Sequence, residues 1–192
     1  IVIAAILAMR LAPRPPRTEL LPSILAGVGE TLRFAVGSRR VAVVFFTLIL
    51  VSTFSFNFDV LLPLVARLTL DEGPSTYGLI ASVFGAGALT GALILATVGR
   101  ARVLLVLGGA LGFGCLQLVL AQQDSLGATC AVLFLAGIFY ILWGSSSLAT
   151  LQLAAPDHLR ARAASLYFFG FMGGAPLGGL IAGSLTAQGG TR

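Results

Sequence analysis

Five long stretches almost free of charge decide what this chain can fold into. Residues 41–66 give 26 residues with one charge, Asp59, and residues 73–99 give 27 with none; 103–123, 125–156 and 163–191 add uncharged runs of 21, 32 and 29. The hydrocarbon core of a bilayer is about 30 Å thick and an α-helix rises about 1.5 Å per residue, so about 20 apolar residues cross it once. Each run is long enough for one crossing and none for two. Membrane β-strands would alternate apolar and polar residues, whereas 41–50 and 128–142 are apolar without alternation. The expected fold is an all-α polytopic membrane bundle, with transmembrane helices at about 41–66, 74–99, 103–122, 127–153 and 163–188.

Composition closes off the other classes. Hydrophobic residues make up 57% of the chain and charged residues 10%, against about 25% charged in an ordinary soluble domain. This excludes most cytosolic enzymes, disordered tails and disulfide scaffolds. Cys115 and Cys130 both sit within apolar runs and have no metal-ligand spacing,. The net charge of +5 raises the question of nucleic acid, which needs the basic residues in one patch. All twelve are arginines, and they are distributed by side. Residues 10–40 hold Arg10, Arg14, Arg17, Arg33, Arg39 and Arg40; the next turn on that side holds Arg100 and Arg102, and the next Arg160 and Arg162. The intervening segments hold only Arg67 and the terminal Arg192. The positive-inside rule therefore places the arginine-rich side in the cytoplasm of a cell membrane. Topology accounts for the basic balance, and nucleic acid loses its support.

Residues 1–9 (IVIAAILAM) are an apolar stub too short to span, with Arg10 after it instead of a charge before it. This is not the order of a signal peptide; it is expected to end a helix that begins upstream. Residues 10–40 read as a cytoplasmic linker. PRPPR at 13–17 is extended,. Ser23 then caps an amphipathic helix with Ile24, Val28, Leu32, Ala35 and Val36 on one face and Glu30, Arg33 and Gly37 on the other. An ordinary charged linker is the alternative; the periodicity favours a helix lying along the membrane surface.

Lipid gives helices no hydrophobic reason to associate, so small residues that let backbones touch matter here. Gly87 and Gly91 are four apart in the second run, and 108–112 reads GGALG in the third. In the last run Gly170, Gly174 and Gly178 repeat every four residues around Pro176. Such spacing marks packing faces, and with a proline a place to flex; glycine-rich spans also occur in polytopic proteins of every function.

Charges within spans are costly and are site candidates by default. Asp59 is the one here, 18 residues beyond Val41, about 27 Å along a helix at about 1.5 Å per residue. It reads as a proton-coupling or cation-attracting carboxylate with Asn57 half a turn away, or as an interfacial residue near Arg67; the depth favours the second. In the fourth run, Tyr140, Trp143 and the serines 145–147 form the most polar patch. Trp143 lies 13 residues before Pro156, deep enough to line a cavity instead of joining the interfacial aromatic belt. His158 sits in a charged loop and reads as capping or solvated. No nucleophile triad, phosphate loop, metal motif or paired acids at depth is present. The chain is not expected to be an enzyme, and nothing in it calls for a cofactor or a metal.

Taken together, the stretches FNFDVLLPLVAR (56–67), TYGLIASVFGAGALTGALIL (76–95), GRAR (99–102) and LQLAAPDHLRARAASLYFF (151–169) resemble the C-terminal half of a major facilitator superfamily transporter. The likeness is to the branch of siderophore exporters and drug-efflux proteins. It implies that residues 1–9 end helix six, that the five runs are helices seven to eleven, and that an N-terminal half completes the molecule. It also implies a proton-driven exporter of small amphipathic molecules working by alternating access, with cargo bound between the halves near the midplane. The superfamily's acidic-basic loop signature is reduced here to Gly99-Arg100-Ala101-Arg102, without its aspartate. The expected partners are the lipid bilayer, a small-molecule substrate and the other half of the transporter. The alternative is a membrane scaffold or assembly subunit held by its glycine faces.

Overall fold

A computed structural model describes residues 24–55, 74–99 and 102–188. They form six α-helices: α1 Ile24–Gly37, α2 Arg39–Ser55, α3 Pro74–Val98, α4 Val103–Leu120, α5 Leu126–Ala154 and α6 Arg160–Gln188, with a 3-10 turn at Asp157–Leu159. No strand occurs among the described residues. The fold is an all-α membrane bundle. Residues 75–98, α4 and α5 are each long and apolar enough to cross a bilayer.

The helix ends follow from local chemistry. Gly99 closes α3 in the left-handed region (φ 62°), and its N–H donates to the Leu95 carbonyl at 3.2 Å. Glycine adopts this C-terminal turn without the strain a Cβ would bring. Three residues later Arg102, in extended conformation, opens α4. Ser125 begins α5, its hydroxyl accepting from the Ala128 N–H at 3.4 Å. Pro156 keeps Ala155 extended, which ends α5,. The chain then reverses through a single turn in which the Leu159 N–H donates to the Pro156 carbonyl at 2.8 Å.

α1 and α2 meet at 106° across Ser38, so α1 runs across the end of the bundle. Ala35 is buried and Phe34 packs on the core. Val36, assigned from the sequence to the apolar face, is 79% exposed. The buried side at the end of α1 thus carries Phe34 and Ala35 and excludes Val36.

α5 is the centre of the bundle, packing extensively on α3 and on α4 and also touching α6 and α2, while α2 packs mainly on α6. The core they share includes Val41, Val44, Leu48, Val106, Phe113, Ala136, Trp143 and Leu151. Large apolar residues elsewhere point outward, among them Phe46, Phe54, Leu89, Leu104, Leu118 and Phe169. That is the inverse of a soluble protein's surface and suits contact with lipid.

Candidate functional site

The helices approach one another at glycines. A Cβ on Gly91 of α3 would lie 2.7 Å from the Ile138 carbonyl oxygen of α5, and one on Gly87 would overlap the Phe134 carbonyl. Gly137 of α5 faces back at the Phe84 carbonyl and lies, by the same measure, 2.8 Å from the Ala88 nitrogen. α3 and α5 are therefore joined backbone to backbone. α4 joins α5 in the same way: a Cβ on Gly109 would lie 2.6 Å from the Trp143 nitrogen. On the other side of the bundle Gly174 of α6 abuts Ser52 and the Thr53 nitrogen, and Gly170 abuts Phe45 and Leu48, all on α2. The buried Ser52 hydroxyl donates to the Gly170 carbonyl at 3.0 Å, tying the two helices by a hydrogen bond in an apolar setting,. Gly178 is buried, and α6 continues as one helix through the exposed Pro176.

Along the inner face of α5 these contacts frame a connected set of aromatic rings. Tyr140 lies 5.6 Å from Phe84 of α3, 5.5 Å from Phe113 of α4 and 6.2 Å from Trp143, centroid to centroid. Trp143 stacks on Phe171 of α6 at 5.9 Å, and Phe171 stacks on Tyr167 at 5.7 Å. The series thus touches four helices. Tyr140 is half-buried, whereas Trp143 is 1% exposed. The Tyr167 hydroxyl rests over Gly144, where a Cβ would be 3.4 Å away. Ser147 donates to the Trp143 carbonyl at 2.7 Å, but the buried Trp143 Nε1 and Ser146 Oγ have no hydrogen-bond partner. Buried polar atoms of this kind are normally satisfied, so this stretch of α5 retains unspent hydrogen-bonding capacity.

The structure thus brings Tyr140 and Trp143 into one cluster. Asp59, Asn57 and Arg100 lie outside the described residues. Arg160 pairs with Asp157 at 3.1 Å, and Arg162 pairs with Glu30 of α1, whose other oxygen is 3.6 Å from His158 Nε2. The two Glu30 contacts fasten α1 to the first turn of α6 and to the turn before it. Three features were missed in the sequence: Gly137, the Ser52 bond and the Glu30 clasp. Gly137 has Leu133 and Ile141 four residues to either side instead of small residues, so no repeat marked it. For the other two the partner lies more than 100 residues away and no local pattern marks it.

Charges at the helix ends, lipid-compatible flanks and glycine-mediated contacts define a polytopic membrane protein. The family model of transmembrane secretion effectors matches residues 1–191, and the chain belongs to this family of the major facilitator superfamily. No curated protein and no solved structure matches it.

Proposed function

We propose that this chain forms one half of a secondary active transporter that exports small amphipathic molecules, drugs or siderophores, by alternating access driven by protons. The family match over residues 1–191 is the observation that carries this reading. The geometry is compatible with it. Helices in direct backbone contact have no bulky side chains to unlock when they rock or slide. The aromatic cluster around Tyr140, with the unpartnered Trp143 Nε1 and Ser146 Oγ, supplies ring faces and hydrogen-bonding capacity of the kind an amphipathic ligand uses,. A second helical bundle packed on this one supplies the other wall of the site. Within this reading Asp59 is the coupling carboxylate, with Asn57 beside it, and Tyr140 and Trp143 contact cargo.

The test is transport by the full-length protein in proteoliposomes with an imposed pH gradient, read with a lipophilic fluorescent dye. Accumulation that collapses with an uncoupler is expected, together with loss of the proton dependence in Asp59→Asn. Transport whose proton dependence survives in Asp59→Asn removes that residue from coupling. A protein that moves no lipophilic compound and no siderophore under any gradient overturns the transport reading.

A further inference from the structure

Arg40 and Arg102 do not belong to the aromatic cluster or to the Glu30 clasp. They meet at a half-open cavity of about 430 Å³ at the arginine-rich end of the bundle, lined also by Val103, Thr150, Leu153 and Ala154. Three helices form it: Arg40 stands at the start of α2, Arg102 and Val103 at the start of α4, and the remaining residues in the last turn of α5.

Three carboxylates occur among the described residues, and none is paired with either arginine. Glu30 is held by Arg162 and faces His158, and Asp157 by Arg160. Asp124 lies in the α4–α5 turn at the opposite end of the bundle. Among the described residues the two guanidiniums thus have no carboxylate partner, and they put a double positive charge around the cavity. The start of α4, where Arg102 makes no side-chain cap, adds its positive partial charge at the same mouth,.

The cavity calls for an anion, and its walls narrow the choice. Leu153 is 71% exposed beside the arginines, with Ala154 and Val103 near it. A small anion taken from solution gains nothing from an apolar wall. A phospholipid does: its phosphate can take the fork-shaped guanidinium donors while its glycerol and first methylenes lie on Leu153. Basic pockets between helices at the membrane interface are where anionic headgroups are held.

We infer that the Arg40–Arg102 cavity binds the headgroup of an anionic phospholipid, with Leu153 seating the glycerol and the start of a chain. The site rests on the membrane fold and not on the transport reading, and its readout is lipid retention, so the two stand or fall separately.

The experiment is native mass spectrometry of the full-length protein in mild detergent, titrated with phosphatidylglycerol or phosphatidylcholine of matched chains. Preferential retention of phosphatidylglycerol is expected. Either Arg40→Gln or Arg102→Gln should weaken it by about fivefold, the share of one interfacial arginine. Arg160→Gln, which removes an arginine already paired with Asp157, should leave it unchanged. Leu153→Glu supplies a carboxylate to the cavity while keeping both arginines, and should also weaken retention. Equal retention of the two lipids, or retention untouched by all three cavity variants, overturns the proposal. So does displacement by millimolar inorganic phosphate, which would make this a site for a free anion. Low retention that rises when the 10–23 linker segment is cleaved would assign the cavity to a carboxylate of the chain itself and overturn it too.

Discussion

Gly108 and Gly109 are neighbours in the chain with opposite surroundings. A Cβ on Gly108 would meet nothing within 4 Å, whereas one on Gly109 would lie 2.6 Å from the Trp143 nitrogen and 2.8 Å from its Cα. Backbone atoms cannot step aside as a flexible side chain can, so Gly109→Ala must move α4 away from α5. Overpacking of that kind costs about 1–3 kcal/mol. Gly108→Ala adds a methyl group facing open space and removes a residue of poor helix propensity. The expected outcome is a lower thermal unfolding midpoint in detergent for Gly109→Ala, and an unchanged or slightly raised one for Gly108→Ala. Equal midpoints for the two variants would show that the α4–α5 approach is looser than the geometry requires.

Elements differ in how much of their environment their own residues reveal. Uncharged run length predicts helices whatever their neighbours, because burying unpaired backbone groups in hydrocarbon leaves few other options. α6 starts at Arg160, three residues before the uncharged run, because Arg160 and Arg162 keep their charged heads at the end of the bundle while their backbone is already helical,. The central place of α5 was not legible. A helix apolar all round points nowhere, and no pattern within 126–154 distinguishes the sides facing α3, α4 and α6. Glycines four apart announce a face, but only the fold supplies the partner, α5 for Gly87 and Gly91 and α2 for Gly170 and Gly174. The aromatic cluster was half legible, since Tyr140 and Trp143 share a helix while Phe84, Phe113 and Phe171 come from three others. The clasp between α1 and the start of α6 yields a prediction at this scale. Glu30 is 45% exposed and Arg162 35%, and solvent-exposed pairs contribute about 0–1 kcal/mol. A double-mutant cycle of Glu30→Gln and Arg162→Gln, read by unfolding in detergent, should give a coupling within that range. A coupling of several kcal/mol would mean that the pair is shielded from water in the assembled protein.

For the molecule as a whole, the question is which end faces which compartment. Ten of the twelve arginines fall on one set of alternating segments and two on the other. Carrying a positive charge outward against an inside-negative potential costs about 2.3 kcal/mol per 100 mV, so the inverted arrangement is disfavoured in proportion to that excess. The described helices give each side a marker: Asp124 lies in the α4–α5 turn, and His158 in the turn before α6. Cys115 and Cys130 are the chain's two thiols and would be replaced by alanine to give a silent background. In that background Asp124→Cys should react with a membrane-impermeant maleimide in intact cells, and His158→Cys only after permeabilisation. The same result would set the Glu30 clasp and the Arg40–Arg102 cavity on the inner leaflet, where anionic lipid gives the surface its negative potential. Labelling in the opposite order would put both at the outer face, and the arginine excess would then need a cause other than membrane insertion.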